Sequence, residues 1–229
     1  MDTNAVRRTG MLFDLDGTLI DSVYQHVLAW REALEKEDID IPVWNIHRKI
    51  GMSGGLFTRA LLRETGKPIS AETTERLQAG HRGAFTRYAA GVRPLPGAVA
   101  LLARLSELGT PWAIATSGRL ETAGPTLITL GVPDGVPVIT RDRVQRAKPD
   151  PDLFPAAARA LDLPIEDCVV VGDSVWDLLA AQRARALGVG LLSGGYGSDE
   201  LFRAGAFRVY EDPAALLRHL DEVGVRDTG

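Results

Sequence analysis

The chain has 229 residues with 26 basic and 30 acidic side chains, which gives a formal charge of −4. This length suits one domain, or one domain that carries a smaller insertion. The slight acidic excess argues against nucleic acid and anionic membranes as partners. A single cysteine, Cys168, excludes an intrachain disulfide framework and a cysteine-based metal site, and the four scattered histidines disfavour a zinc site.

The sequence contains no apolar run of the roughly 20 residues that a membrane-spanning helix needs. Residues 1–8 also lack the apolar stretch of a signal peptide. We therefore expect a soluble, cytoplasmic protein, and we expect it to act as a monomer.

The first predicted element is a short buried strand, Met11-Leu12-Phe13. From about residue 22 to residue 90 the pattern is helical, with Ser22 as the predicted N-cap of the first helix. The segment Gly51-Met52-Ser53-Gly54-Gly55 interrupts this block, and further helices are predicted at about 57–65 and 71–90. Glycine and proline in residues 91–97 indicate a stiff linker.

After the linker, helices alternate with strands. We predict helices at about 97–108, 120–130, from 153 and at 175–186, and strands at 112–115, 138–140, 168–171 and 189–192. Continuous apolar strands separated by helices indicate a parallel sheet that is covered on both faces. The predicted fold class is therefore α/β, a doubly wound parallel sheet formed by residues 1–20 and 94–229, with residues 21–93 inserted as a helical cap.

Polar residues follow several predicted strands, at the edge where open α/β sheets bind ligands. Asp14 and Asp16 follow the first strand, Thr116 the second and Asp173 the fourth, and Lys148 precedes the helix that leads to the fourth strand. Three converging carboxylates repel one another unless a cation joins them, and oxygen ligands suit Mg²⁺. Together with a lysine and a hydroxyl, this set indicates phosphoryl transfer.

The pattern Asp-x-Asp-Gly-Thr at residues 14–18 fixes four residues, so chance gives it on the order of 10⁻⁵ per position. Asp, Gly and Thr are also ordinary turn residues, but Thr116, Lys148 and Asp173 make a simple turn the weaker interpretation. A calcium-binding EF-hand loop does not fit, because Leu19 and Gln25 stand where that loop needs Gly and Glu.

The chain resembles the haloacid dehalogenase superfamily of phosphohydrolases, in the subfamily that contains phosphoglycolate phosphatase and β-phosphoglucomutase. Four motifs carry the resemblance in the family's order, at residues 14–22, 115–117, 148–151 and 171–177. The resemblance covers nearly the whole chain. It implies a Rossmann-like core, and it places the helical insert where the family has its C1 cap.

The resemblance implies that Asp14 is the nucleophile and forms an aspartyl-phosphate. It implies that Asp16 protonates the leaving alkoxide and later deprotonates the hydrolytic water. Mg²⁺ is then expected to bind Asp14, the main-chain carbonyl of Asp16, and Asp173. We expect the substrate to be a small phosphorylated metabolite.

The resemblance also implies a phosphate-binding set. The Thr116 hydroxyl and the backbone N–H groups of Ser117 and Gly118 are expected to hold phosphate oxygens near a helix N-terminus. Lys148 is expected to neutralise the phosphate and the nucleophile. Asp177 is expected to orient Lys148 or a metal-bound water, although its place at a helix start also suits a capping residue.

Simple hydrolysis of a phosphate monoester is the activity that this pattern favours. Asp16 disfavours the dehalogenase branch, which does not need an acid at that position. A β-phosphoglucomutase-like mutase is the alternative, because His26 matches the mutase pattern. However, Gly54 stands where that pattern has arginine, and no lysine lies near Gln78 to match its cap lysine. The lysine of phosphonate hydrolases is not evident either.

Substrate specificity is expected to lie in the cap. His26, Arg48, Ser53 and Gly54 are candidate substrate contacts in or near the segment 51–55. The neighbouring His47 and Lys49 belong to the same basic region, and His81 and Arg82 are further candidates for a carboxylate or a second phosphate. A solvated surface position is the alternative for each basic residue. We predict hinges for cap closure near residues 18–22 and 91–96.

Two further alternatives come from other classes of protein. Gly-x-Ser-x-Gly at residues 51–55 matches a serine hydrolase motif with Ser53 as nucleophile, but the residues before it are too basic for a central strand. No acid and histidine follow in the required order. A catalytically idle binding protein is the other alternative, and the retention of all the predicted catalytic residues argues against it.

Overall fold

The computed structural model describes residues 9–66 and 70–226 of the chain. Its strands are β1 (Gly10–Phe13), β2 (Trp112–Ala115), β3 (Val138–Ile139), β4 (Cys168–Gly172), β5 (Leu187–Leu191) and β6 (Ala206–Tyr210). They form one sheet in the order β3-β2-β1-β4-β5-β6, and every neighbouring pair is parallel. The predicted doubly wound parallel α/β fold is therefore confirmed.

Ten α-helices lie in the described part of the chain. Four of them come between β1 and β2, namely α1 (Val23–Glu35), α2 (Val43–His47), α3 (Gly54–Thr65) and α4 (Ala71–Tyr88). The others are α5 (Ala98–Glu107), α6 (Leu120–Leu130), α7 (Leu153–Ala160), α8 (Val175–Ala184), α9 (Ser198–Arg203) and α10 (Pro213–Leu217). None of the described helices is long and apolar enough to cross a membrane.

Both faces of the sheet are buried, which explains why its central strands are apolar at every position. Side chains of β1 alternate between two cores. Met11 and Phe13 pack with Leu101 of α5 on one face. Leu12 packs with Phe154 of α7 on the other face.

The helices α1 to α4 have an apolar core of their own. The four side chains at helical spacing on α1 are all buried in it: Val23, Val27, Trp30 and Leu34. The amphipathic pattern therefore predicted this helix correctly. The division into a core and a cap at residues 20/21 and 93/94 stays a prediction.

The two connections between this helical block and the sheet lie side by side. The Asp21 N–H donates to the Arg93 carbonyl at 2.9 Å, and the Leu95 N–H donates to the Leu19 carbonyl at 2.9 Å. An isolated bridge also pairs Ile20 with Pro94. The two predicted hinge segments are thus hydrogen-bonded to each other.

The sequence pattern does not predict α9, β6 and α10. Helices α9 and α10 have only six and five residues, so their periodicity is weak. Strand β6 lies at the edge of the sheet and exposes Phe207 and Arg208, so it lacks the continuous apolar pattern of the central strands. Short helices and edge strands have too few apolar residues at regular spacing to be predicted from the sequence.

The reactivity of the Cys168 thiol tests whether β4 is buried. Its side chain is 1% exposed, and burial together with Asp167 and Glu166 raises the pKa of its thiol to about 11. Near pH 8 we expect the folded protein to react with Ellman's reagent about 100-fold more slowly than an ordinary cysteine, because the thiolate is the reactive form. The same protein in guanidinium serves as the control. Equal rates in the two conditions would contradict the buried position.

Candidate active site

The order of the strands brings the predicted polar residues to one edge of the sheet. Asp14, Thr116 and Asp173 follow β1, β2 and β4, which are neighbours in the order β2-β1-β4. The Asp14 N–H donates to the Val171 carbonyl at 2.9 Å, and the Thr116 N–H donates to the Ile139 carbonyl at 2.9 Å. The parallel ladder therefore continues into the site and fixes these backbone positions.

Three buried carboxylates meet at this edge. Asp14, Asp173 and Asp177 each offer an oxygen atom within 4.8 Å of the others. Asp14 and Asp173 are 4% exposed and Asp177 is fully buried. The Thr18 hydroxyl donates to Asp173 Oδ1 at 2.9 Å. The sequence predicted that Asp14, Asp16 and Asp173 converge, with Asp177 close by. In the structure Asp177 is the third member of the cluster, and the Asp16 carboxylate contacts Ser22 and His26 instead.

Lys148 is fully buried beneath these carboxylates. Its Nζ atom donates a hydrogen bond to Asp14 Oδ1 and lies 2.7 Å from Asp177 Oδ1. Burial alone would lower the pKa of Lys148, but Asp14 and Asp177 together raise it above its ordinary value. The two carboxylates therefore favour the charged form of the lysine inside the site.

Asp177 has two roles at once. Its Oδ2 atom accepts hydrogen bonds from the Ser174 N–H at 3.1 Å and from the Ser174 hydroxyl at 2.5 Å, at the start of α8. Its Oδ1 atom faces Lys148. The capping and the lysine-orienting interpretations of Asp177 are thus compatible, since each uses a different oxygen atom.

Burial and mutual repulsion make this cluster a strong candidate for a metal site. Burial raises the pKa of Asp14 to about 7; Lys148 opposes this effect and Asp177 adds to it. Burial, Asp177 and Asp14 raise the pKa of Asp173 well above its ordinary value. Three carboxylates carry more charge than one lysine neutralises, and their hard oxygen atoms fit Mg²⁺.

Glycine residues make room for Asp173. A Cβ atom on Gly17 would lie 2.5 Å from Asp173 Oδ2, and one on Gly194 would overlap the same oxygen. Gly17 also has a φ of +84°, a backbone conformation that suits glycine. The glycine of the Asp-x-Asp-Gly-Thr motif is thus required both by the turn and by the neighbouring carboxylate.

Asp16 lines a pocket at this edge of the sheet together with Asp14. Only one of its two carboxylate oxygen atoms, Oδ1, contacts the side chains of Ser22 and His26. The Ser22 hydroxyl donates to Asp16 Oδ1 at 2.6 Å, and His26 Nε2 lies 3.2 Å from the same oxygen. Burial alone would raise the pKa of Asp16, but His26 and Ser22 lower it below its ordinary value. Ser22 stands at the predicted N-cap of α1, but its side chain forms no cap hydrogen bond.

His26 is part of a partly buried stack of rings. Its Nδ1 atom lies 3.1 Å from His81 Nε2, its ring stacks on Phe85 at 3.9 Å, and the His81 ring stacks on Trp30 at 4.2 Å. Burial and the neighbouring His26 lower the pKa of His81 well below its ordinary value. The sequence suggested both histidines as substrate contacts, but no local signal predicted that they pair across 55 residues.

The predicted phosphate-binding residues follow β2 and precede α6. Thr116, Ser117 and Gly118 all line the pocket. The Gly118 N–H donates to the Thr116 hydroxyl at 2.9 Å. The Ser117 hydroxyl oxygen is buried without a hydrogen-bond partner among the described residues, so a ligand at this position would satisfy it.

The pocket lies between the helical block and the carboxyl edge of the sheet, and its volume is about 220 Å³. Asp14 and Asp16 line it together with apolar side chains from the helical block, Trp30, Ile50, Met52 and Phe57. Further lining residues are His26, Gly51, Gly54, Gly55, Gln78, His81, Arg82, Arg119, Thr122 and Arg141. Among the predicted substrate contacts, His26 and Gly54 therefore lie in the pocket.

Arg48 and Ser53 are not among the pocket-lining residues. The Arg48 guanidinium pairs with Glu200 and lies 4.1 Å above the centre of the Tyr196 ring. The Ser53 N–H donates to the Lys148 carbonyl at 3.2 Å, and Ser53 is only 9% exposed. Both residues thus connect the helical block to the core, and their predicted role as substrate contacts stays a prediction.

The serine hydrolase alternative lacks its structural context. That motif needs a strand before the serine, whereas α2 and a turn precede Ser53. Arg119 and Arg141 also line the pocket, and neither was predicted from the sequence. Arg119 comes just after the polar segment that ends β2, and Arg141 comes just after β3. Their positions beyond strand ends are the same signal that identified the carboxylates.

Comparisons with known proteins agree with this geometry. The family model of haloacid dehalogenase-like hydrolases matches residues 9–185. Hexitol phosphatase A of Escherichia coli is 34% identical over 186 residues, which cover 78% of this chain and 81% of that protein. A phosphoglycolate phosphatase of Rhodospirillum rubrum is 28% identical over 213 residues, which cover 90% of this chain and 88% of that protein.

A solved structure is also similar over nearly its full length. A hydrolase from Pseudomonas syringae has a TM-score of 0.92 and 54% sequence identity, and the match covers 94% of this chain and 99% of that one. The resemblance that the four motifs predicted is therefore confirmed. The chain belongs to the haloacid dehalogenase-like hydrolase family and is an enzyme of that family.

Proposed function

We propose that the chain hydrolyses a small phosphate monoester with Mg²⁺ bound and with Asp14 as the nucleophile. The observation that carries this proposal is the arrangement around Asp14. Its carboxylate lines the pocket from above a fully buried lysine, beside two further buried carboxylates. The hexitol phosphatase and the phosphoglycolate phosphatase among the relatives support the same class of reaction.

In the first proposed step, an Asp14 oxygen attacks the phosphorus atom and the bond to the leaving alkoxide breaks. Asp16 gives its proton to that alkoxide. The incoming phosphate dianion supports this role, because a nearby negative charge raises the pKa of a carboxyl group and favours its protonated form. Ser22 and His26 hold Asp16 Oδ1, which leaves Oδ2 available for the transferred proton.

In the second proposed step, Asp16 takes a proton from water, and the water oxygen attacks the aspartyl-phosphate. The bond between phosphorus and Asp14 breaks, and inorganic phosphate leaves. Thr116, Ser117 and Gly118 hold the phosphate oxygens through both steps, and Lys148 neutralises Asp14 and the phosphate. The buried Ser117 hydroxyl without a partner supports this phosphate position.

The residues present fit a bound Mg²⁺. We propose Asp14, the main-chain carbonyl of Asp16, and Asp173 as its ligands, with Asp177 oriented by Ser174 and Lys148. The metal ion would supply positive charge that lets an anionic nucleophile approach an anionic phosphate. The surplus of buried carboxylate charge over the single lysine supports this assignment.

Hydrolysis is favoured over a mutase reaction by one position in the pocket. A Cβ atom on Gly54 would meet no atom within 4 Å, so a larger side chain would fit there. The mutase pattern has an arginine at this position. The structure leaves room for that side chain, so its absence is not explained by a lack of space. An idle binding protein is disfavoured, because Asp14 and Asp16 both line the pocket and Lys148 pairs with Asp14. A monomeric state stays a prediction.

Replacing Asp14 by Asn tests the nucleophile. We expect kcat for p-nitrophenyl phosphate in the presence of Mg²⁺ to fall at least about 10³-fold, because no other side chain can form the intermediate. Release of p-nitrophenol gives the rate. Asp134→Asn, an exposed turn residue, is the matched control. The Ser53→Ala variant should keep its activity. The assignment would be refuted if Ser53→Ala were inactive and Asp14→Asn were active.

The pH dependence of stability tests the metal site. Because the pKa values of Asp14 and Asp173 are raised, the folded state binds protons more tightly than the unfolded state. Without divalent cations, the stability of the protein should therefore fall as the pH rises from about 4 through about 7. Asp173→Asn should weaken this dependence and raise the thermal midpoint near pH 8 by about 3 °C or more.

Thermal denaturation in EDTA and in excess MgCl₂ provides this measurement. Mg²⁺ should raise the midpoint of the unaltered protein near pH 8 and have little effect on Asp173→Asn, because a ligand of the ion is lost. Asp134→Asn is again the control and should respond to Mg²⁺ like the unaltered protein. An equal response of all three proteins would exclude Asp173 as a ligand.

A further inference from the structure

We propose that His81 is a positioning residue for the acid of the reaction. Its ring nitrogen holds His26 so that His26 donates to one oxygen of Asp16, and the transferable proton is thereby placed on the other oxygen. This inference rests on the proposed phosphatase function, because it assigns a supporting partner to the acid of that reaction. The sequence suggested His81 as a substrate contact, and its pairing with His26 indicates a different role.

The two histidine rings meet edge to edge. His26 Nδ1 lies 3.1 Å from His81 Nε2, whereas the ring centroids are 5.2 Å apart and the ring planes differ by only 17°. The two nitrogen atoms therefore lie between the rings and close to both ring planes. An imidazole nitrogen carries its hydrogen or its lone pair in the ring plane, so this arrangement is that of a hydrogen bond.

Aromatic side chains hold the planes of both rings. His26 stacks on Phe85 at 3.9 Å, and His81 stacks on Trp30 at 4.2 Å. Such face-to-face contacts fix the orientation of the two imidazoles and leave the nitrogen atoms at their edges for polar contacts. A phenylalanine at position 81 could stack on Trp30 equally well, so packing alone does not require a histidine there.

The contact with Asp16 decides which nitrogen of His26 carries a hydrogen. His26 Nε2 lies 3.2 Å from Asp16 Oδ1, and a carboxylate oxygen accepts hydrogen bonds, so Nε2 is the donor. A neutral His26 then has a bare Nδ1, which accepts a hydrogen bond from His81 Nε2. When His26 is doubly protonated, the same bond runs from His26 Nδ1 to His81 Nε2. The pairing with His81 thus keeps the donor at Nε2 in both states.

His81 suits this pairing because its neutral ring can work in both directions. One neutral tautomer donates a hydrogen bond at Nε2 and the other accepts one there. Burial and the neighbouring His26 lower the pKa of His81 well below its ordinary value; Asp16 opposes this shift and Arg82 adds to it. The neutral form is therefore favoured, and the two histidines are not driven apart by two adjacent positive charges.

The resulting chain of hydrogen bonds leaves one oxygen of Asp16 for chemistry. His26 and the Ser22 hydroxyl both contact Oδ1, so a proton that Asp16 carries belongs on Oδ2. A Cβ atom on Gly118 would lie 3.9 Å from Oδ2, so this oxygen faces the segment proposed to hold the phosphate. Without His81, the His26 ring would lose the contact that holds its Nδ1 edge, and its hydrogen bond to Asp16 would weaken.

The dependence of the rate on the leaving group tests this proposal. p-Nitrophenolate leaves without a proton, whereas the alkoxide of benzyl phosphate, an ester of similar size, needs one. His81→Phe should lower kcat/KM for benzyl phosphate at least about tenfold more than kcat/KM for p-nitrophenyl phosphate. This parameter is suitable because it reports only the steps up to departure of the leaving group. Equal losses for the two esters, or no loss for either, would overturn the proposal.

Two further variants assign the effect to the ring nitrogen. His81→Gln should recover part of the loss for benzyl phosphate, since its side-chain amide can donate or accept where Nε2 did. His219→Phe is the matched control and should leave the ratio of the two kcat/KM values unchanged, because His219 also stacks on a ring, that of Tyr210, but does not line the pocket. The hydrogen bond would be excluded as the cause if His81→Gln were as impaired as His81→Phe.

The ring nitrogens can also be observed without turnover. In protein labelled with ¹⁵N at its four histidines, His26 Nε2 should give the chemical shift of a protonated ring nitrogen, with signals assigned by substituting one histidine at a time. A bare His26 Nε2 in the unaltered protein would overturn the proposed chain at any level of activity. A protonated Nε2 whose signal shifts in His81→Phe, in a protein that hydrolyses no phosphate ester, would support the chain and overturn the phosphatase proposal.

Discussion

The ion pairs of one fully buried lysine are the interaction on which the site depends. Lys148 holds Asp14 and Asp177 together at the carboxyl edge of the sheet, where a third carboxylate, Asp173, adds to the repulsion. Buried carboxylates without a counter-charge are costly, so a loss of the lysine would leave charges that the fold cannot solvate. The same residue connects to the helical block, since its carbonyl accepts the Ser53 N–H.

Several side chains at this edge serve structure and chemistry together. Asp177 caps α8 with one oxygen and faces the lysine with the other. A side chain on Gly172 would overlap Asp177, so the end of β4 must be glycine for the carboxylate to reach inward. Ser22 stands at the start of α1, yet its hydroxyl supports Asp16 instead of the helix. A contact with the pocket residue Asp16 thus replaces the local cap hydrogen bond at that helix.

The helical block completes the pocket that the sheet begins. The sheet edge supplies carboxylates, a lysine and the polar segment 116–118, whereas the block supplies apolar side chains and the ring stack that includes His26. The two segments that join these parts are hydrogen-bonded to each other, as Asp21 with Arg93 and Leu95 with Leu19 show. The buried charges therefore lie at the edge of the sheet, and the pocket lies at the boundary between the sheet and the helical block.

The sequence by itself determined five of the six strands in the described part of the chain, the main helices between β1 and β2, and the polar residues that follow the strands. Apolar runs and helical spacing are local patterns, and Asp14, Thr116 and Asp173 stand directly after strands whose ends must meet. Only the tertiary structure decided which distant side chains touch. Lys148 reaches Asp14 across 134 residues, His26 pairs with His81 across 55, and Arg141 joins the pocket while Arg48 turns to Glu200. Such contacts depend on how helices and loops pack, and no local pattern specifies that packing.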